Sequence, residues 1–130
     1  MSAMKRLFQL MAEKKASDLF VSVGAPINIK IEGVAMPVNQ TIMSADTVKQ
    51  LLYEVLSERQ IRDFEEEMEL NTAVTLEGIG SFRISAFRQK GSLAVVVRYI
   101  PGEIPPLDTL GLPETVKDII MRKRGLLLMV

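Results

Sequence analysis

Residues 81–100 read SFRISAFRQKGSLAVVVRYI, and this stretch decides the fold. It contains two runs rich in β-branched and aromatic residues, 81–89 and 92–100. Lys90-Gly91 separates them, and a short connection that contains glycine favours a tight turn. The stretch therefore predicts an antiparallel hairpin.

The two predicted strands differ in which of their faces is apolar. In the first, Phe82, Ile84 and Ala86 fall on one face, whereas Phe87 breaks this alternation, which predicts a β-bulge near Ala86. The second is apolar on both faces from Leu93 to Val97. We expect other elements to cover each side of it.

The residues before the hairpin predict helices and further strands. Ser44 and Ser57 are typical N-caps, and each is followed by apolar residues at helical spacing. The acidic run 65–67 is typical of a solvated helix end. The predicted elements are a helix over Met4, Leu7, Phe8 and Met11 that stops near Lys15, a strand meander within 18–38, a helix after Ser44, a shorter helix after the capping-box sequence Ser57-Glu58-Arg59-Gln60, and a strand over 70–77. Together they indicate an α+β domain.

The amino-acid composition argues against several classes of protein. Sixteen Lys and Arg balance sixteen Asp and Glu, so no excess positive charge favours nucleic acid as a partner. The chain has no histidine and no cysteine, which excludes disulfides and the usual His-dependent or Cys-dependent catalytic sets. The longest apolar run, Leu126–Val130, is far shorter than the roughly 20 residues of a spanning helix, so we expect no membrane insertion.

The last thirty residues predict a boundary. Prolines between 101 and 106 indicate an extended connector, and Leu112-Pro113 begins a predicted helix that ends near Arg122, Lys123 and Arg124. The apolar run Leu126–Val130 is typical of a buried parallel strand, yet nothing else in the chain predicts a partner for it. This indicates a truncated second domain.

No complete nucleotide site follows from the residues alone. The phosphate-loop pattern G-x-x-x-x-G-K-[ST] is absent, and Gly78-Ile79-Gly80 lies between two predicted strands, so it is a turn. The residues therefore predict an α+β binding or assembly domain and no specific chemistry.

A family resemblance extends this interpretation. Five segments resemble, in order and spacing, the amino-terminal third of type IV pilus retraction ATPases of the PilT/PilU family. They are Ala16-Ser17-Asp18-Leu19-Phe20, Ile29-Lys30-Ile31-Glu32-Gly33, the stretch 80–87, Val97-Arg98-Tyr99-Ile100-Pro101 and Lys123-Arg124-Gly125-Leu126. Phe20 stands where the PilT branch usually has His, so the chain is more similar to PilU.

The resemblance implies a domain arrangement. Residues 1–101 would form an amino-terminal domain with a PAS-like antiparallel sheet and flanking helices. Residues 102–112 would be a proline-rich hinge, and 113–130 the first helix and strand of a truncated RecA-like domain. In the family, a strand like Leu126–Val130 leads into the phosphate-binding loop.

The resemblance also implies a function. The parent protein, the full-length chain of which these residues would be the amino-terminal part, would be a homo-hexameric ATPase for twitching motility. It would be cytoplasmic and peripheral to the inner membrane through the pilus platform, with a related retraction ATPase as a further partner. Its amino-terminal domain would close over ATP and Mg held by the RecA-like domain and direct arginines to the phosphates. Arg83 and Arg98 fall on the family's strand arginine positions, and Arg88 lies where the family varies. This chain alone would bind no cofactor and be inactive. The alternative is a PAS-like ligand-binding or partner-binding module without a nucleotide role.

Overall fold

A computed structural model describes residues 2–130 and contains a six-stranded sheet with helices on one face. Its elements are α1 (Ala3–Glu13), β1 (Asp18–Ser22), β2 (Asn28–Ile31), β3 (Val34–Pro37), α2 (Ala45–Tyr53), α3 (Glu58–Glu67), β4 (Glu69–Leu76), β5 (Gly80–Gln89), β6 (Ser92–Ile100), a 3-10 turn (Leu107–Leu110) and α4 (Thr115–Ile120). The predicted α+β class with an antiparallel sheet and flanking helices is confirmed. Position 1 of the predicted first domain lies outside the described residues.

The strand order is β3-β2-β1-β6-β5-β4, and every neighbouring pair is antiparallel. The predicted hairpin forms β5 and β6, and the meander forms β1 to β3. Strand β6 then pairs with β1 at the centre of the sheet, with Val97 opposite Leu19. This long-range pairing joins the two halves of the domain.

The helix ends follow the sequence signals. The Ser44 side chain accepts a hydrogen bond from the Thr47 backbone N–H, and Ser57 with Gln60 forms the predicted capping box. At the start of α1, the Glu54 carboxylate accepts from the Met4 backbone N–H at 2.9 Å. A negative charge there also complements the positive end of the helix dipole, so this contact links α1 to the end of α2.

One face of the sheet forms the core. Helices α1, α2 and α3 place their buried side chains in one cluster with the inward residues of the strands. The Phe8 ring stacks on the Phe82 ring with centroids 4.3 Å apart, and the centroid of the Tyr99 ring is 5.1 Å from that of Phe82. We call this side the covered face.

Two expectations for the hairpin are wrong. The pairing of β5 with both neighbours continues without interruption through Ala86 and Phe87, so there is no bulge. Phe87 simply occupies an outward position and is exposed. Strand β6 is covered on one side only, since Ala94 and Val96 on its other side are only half-buried and every buried residue of the described helices belongs to the opposite face. We call this second side the open face.

Residues 101–130 add nothing to the buried core, which among the described residues ends at Val97. Helix α4 starts at Thr115, two residues after Pro113, and stops at Ile120, short of the predicted end. Its apolar residues Ile119 and Ile120 are exposed. Residues 126–130 pair with no strand and are exposed.

Candidate functional site

A row of charged residues crosses the open face. The registers place Lys30 of β2 opposite Asp18 of β1, Asp18 opposite Arg98 of β6, and Arg98 opposite Arg83 of β5. Because side chains of directly opposed residues point to the same side of a sheet, these four groups line up across neighbouring strands. The row carries three positive charges and one negative charge.

Asp18 and Arg98 form the central pair of this row. The Arg98 Nε donates to Asp18 Oδ1 at 3.1 Å. The Asp18 side chain is only 9% exposed, whereas that of Arg98 is 68% exposed. A carboxylate so buried needs a charged hydrogen-bond partner, since burying an unpaired charge is costly. The pair therefore has a buried, fixed acceptor and an exposed donor.

Arg83 and Arg98 lie directly opposite each other on β5 and β6. Like charges in this arrangement repel, and no described carboxylate forms an ion pair with Arg83. The two side chains border a depression of about 190 Å³ whose other lining residues are Asp18, Ser85 and Val96. Two guanidinium groups beside one depression form an arrangement suited to an anion.

Arg88, the third predicted arginine, does not join this arrangement. It lies at the end of β5 on the covered side, where its guanidinium carbon is 5.9 Å from the centre of the Phe64 ring. Its backbone N–H donates to the Met68 carbonyl at 3.1 Å. The sequence prediction thus includes two arginines that share a face and one that does not.

A second polar cluster joins α2 to α3. The Tyr53 hydroxyl donates to Glu65 Oε1 at 2.9 Å, and Lys49 Nζ is 3.7 Å from the same oxygen. Burial, the hydrogen bond to Glu65 and the negative charge of Glu65 raise the pKa of Tyr53. This cluster is on the helical side of the molecule, away from the open face.

Asp18 belongs to the site, although the sequence pattern does not identify it as a site residue. It is the buried polar residue of the described chain, and its partner is 80 positions away in sequence. The one available signal was its place in Ala16-Ser17-Asp18-Leu19-Phe20, directly before an apolar strand. Spacing alone cannot pair residues so far apart.

Among residues 2–130, no helix is long and apolar enough to span a bilayer. Within the same residues, the carboxylates form no group that could hold a metal ion.

The sequence matches two curated proteins of Pseudomonas aeruginosa. The chain is 42% identical over 126 residues to the type IV pilus ATPase PilU, covering 97% of this chain and 33% of PilU. It is 32% identical over 122 residues to the type IV pilus ATPase PilT, covering 94% of this chain and 36% of PilT. No protein-family model matches the chain. The chain thus spans about a third of the length of these relatives.

Solved structures agree with the sequence matches. The pilus retraction motor PilT with bound ADP superposes with a TM-score of 0.74 at 30% identity, over 94% of this chain and 36% of PilT. The Legionella pneumophila ATPase DotB superposes with a TM-score of 0.75 at 20% identity, over 94% of this chain and 35% of DotB. At that identity, the similarity to DotB concerns the fold alone.

The antiparallel sheet, its helices and these matches define the class: the amino-terminal part of a pilus-type ATPase. The chain belongs to the PilT/PilU family of type IV pilus ATPases. Its identity to PilU exceeds its identity to PilT, as Phe20 predicts.

Proposed function

We propose that this chain is the amino-terminal domain of a hexameric pilus retraction ATPase, and that its open face closes over ATP bound by a RecA-like domain. One observation carries the proposal. Arg83 and Arg98 are directly opposed on a sheet face that no described helix covers. The relative PilT, which matches this chain in sequence and fold, was solved with bound ADP.

The proposed chemistry is electrostatic. Phosphoryl transfer develops negative charge on the oxygens of the transferred group, and a positioned guanidinium stabilises it. Arg83 and Arg98 extend from neighbouring strands of the sheet, which hold a side chain more rigidly than a loop does. Arg88 makes no contribution in this proposal, because it lies on the other side of the sheet over Phe64.

The proposed domain arrangement has residues 1–101 as the nucleotide-closing domain, 102–112 as the hinge and 113–130 as the start of the RecA-like domain. The exposure of the last segment supports it. Leu126, Leu128 and Met129 are 84%, 70% and 66% exposed, which is unusual for a run of large apolar residues. In the parent protein this run would be a buried strand that leads into the phosphate-binding loop.

The remaining parts of the proposal concern the parent protein. ATP and Mg would be held by the RecA-like domain, and six copies would form the motor. The motor would work in the cytoplasm at the inner-membrane platform of the pilus, where a related retraction ATPase is a further partner. The PilU and PilT matches support this assignment. The chain alone is expected to bind no ATP and to hydrolyse none.

The test uses steady-state ATPase kinetics of the full-length parent. Arg83→Ala and Arg98→Ala are each expected to lower kcat by about tenfold or more with little change in nucleotide affinity. Replacement by Lys is expected to restore little, because an ammonium lacks the planar geometry of guanidinium. Arg88→Ala and Arg62→Ala are the controls and are expected to be milder.

Two results would contradict the proposal. Wild-type kcat for both Arg83→Ala and Arg98→Ala would leave the alternative, a PAS-like ligand-binding or partner-binding module. Calorimetry that detects tight ATP binding by the 130-residue chain itself would show that the nucleotide site lies elsewhere.

A further inference from the structure

We infer that Asp18 is a positioning residue, which fixes Arg98 through its Nε and leaves the two terminal nitrogens of the guanidinium to face an anion. This inference rests on the proposed function, because it assigns Arg98 to the phosphates of a nucleotide. Asp18 itself would touch no phosphate.

Asp18 contacts only the Nε nitrogen of the Arg98 guanidinium. Nε of Arg98 donates to Asp18 Oδ1 at 3.1 Å, and no other described side chain bonds the Arg98 guanidinium. A guanidinium has five N–H donors in a fixed plane, so one bond at Nε leaves four on the terminal nitrogens. These can form the paired hydrogen bonds that phosphate oxygens accept.

Burial makes Asp18 a fixed anchor. An arginine that is 68% exposed would normally sample many rotamers, and ordering it at the moment of reaction would slow the reaction. The Asp18 side chain is 9% exposed and stands at the first residue of β1, in the middle of the sheet. It therefore restricts Arg98 before any ligand arrives.

Charge gives Asp18 a second effect on the same residue. Arg98 faces Arg83 on one side, and Lys30 lies beyond Asp18 on the other. Without the Asp18 carboxylate, three neighbouring cations would repel one another and Arg98 would turn away from Arg83. With it, both guanidinium groups can remain beside the depression that they border.

A surface ion pair elsewhere in the chain shows the difference. Arg59 Nε lies 3.9 Å from Asp63 Oδ2 one turn apart on α3, and the two side chains are 85% and 51% exposed. Such a pair is mobile and contributes little. Asp63→Ala is therefore a matched control, because it removes the same carboxylate from an Asp-Arg pair that is exposed on both sides.

The first measurement is a double-mutant cycle on kcat in the full-length ATPase. Asp18→Ala, which removes the accepting oxygen, is expected to lower kcat by about tenfold to a hundredfold with KM nearly unchanged, since small misplacements of a reacting group have effects of that size. In the Arg98→Ala background the same change is expected to have no further effect, because the side chain that Asp18 positions is absent. Asp63→Ala is expected to leave kcat at the wild-type value.

The second measurement uses this 130-residue chain. Nitrogen-15 NMR follows the Nε–Hε signal of Arg98, which is expected to be shifted and slow to exchange when Asp18 accepts its proton. In Asp18→Ala, which removes the accepting oxygen that an asparagine would keep, this signal should move to the position of free arginine, while the backbone amide spectrum stays folded. Asp63→Ala should leave it unchanged.

The outcomes separate the two proposals. Wild-type kcat for Arg98→Ala would overturn the assignment of Arg98 to phosphate, and the role of Asp18 with it. A slow Arg98→Ala enzyme together with a wild-type kcat for Asp18→Ala would overturn the role of Asp18 alone. Losses that multiply in the double variant would also overturn it, since Asp18 would then act on something other than Arg98.

Discussion

The two faces of the sheet are built from the same strands but have different contents. On the covered face, Phe82, Ile84 and Val97 are fully buried against the helices. On the open face, the alternate residues Arg83 and Arg98 of the same two strands are exposed. The alternation lets one hairpin stabilise the domain on one side and present charge on the other, so substitutions on the two faces should have separable effects.

The largest expected effect tests this separation within one strand. Phe82→Ala removes a ring that stacks on Phe8 at 4.3 Å, and the expected loss is about 3–5 kcal/mol in the free energy of unfolding. Phe87→Ala, five positions later on the open face, is the control. Its ring is 37% exposed, and the expected loss is below about 1 kcal/mol.

Urea unfolding followed by circular dichroism measures both values. Equal losses would mean that something covers the open face in solution, with a second copy of the chain as the first candidate. Sedimentation of the wild-type chain at several concentrations would then show the association.

The covered face could be predicted because its signals are local. The alternation of Phe82, Ile84 and Ala86 and the N-caps Ser44 and Ser57 each depend on residues a few positions apart, and the structure confirms them. The predicted bulge is wrong because it rests on the expectation that an apolar residue is buried. Phe87 keeps strict alternation and is exposed, as apolar residues often are.

The candidate site could be predicted only in part. Arg83 and Arg98 came from the family resemblance, but their direct opposition depends on the register of β5 and β6. The pairing of Asp18 with Arg98 needs the closure of β1 onto β6, across most of the chain. Long-range pairing of this kind leaves no periodic pattern in the sequence, so Asp18 had no visible partner.

The next largest effect concerns the turn at the edge of the covered face. Gly80 has φ +140°, and an added Cβ would lie 2.7 Å from a ring carbon of Tyr99. Gly80→Ala is therefore expected to lower the free energy of unfolding by about 2 kcal/mol, through both backbone strain and the displaced ring. The Tyr99 hydroxyl donates to the Ile79 carbonyl at 2.9 Å, and this bond would be disturbed too.

Gly78→Ala is the control for the backbone term. Gly78 also has positive φ, +76°, but an added Cβ would meet no atom within 4 Å. Thermal unfolding of the two variants should show the larger loss for Gly80→Ala. Equal losses would show that the Tyr99 ring moves aside freely and that this edge of the covered face is loosely packed.

The smallest expected effect is at the exposed rim of the helices, where a polar contact replaces core packing. The Tyr53 hydroxyl donates to Glu65 at 2.9 Å, and burial, this bond and the charge of Glu65 raise its pKa above the ordinary 10.0. The folded state thus favours the protonated phenol, so its contribution is complete below pH 10 and is lost as the pH rises through the folded-state pKa. Tyr53→Phe should lower the free energy of unfolding at pH 8 by only about 0.5 kcal/mol, because solvent screens the contact. The difference between wild type and variant should shrink above pH 10. Urea unfolding at pH 8, 9.5 and 10.5 measures it, and a difference that grows with pH would show that the hydrogen bond to Glu65 does not form in solution.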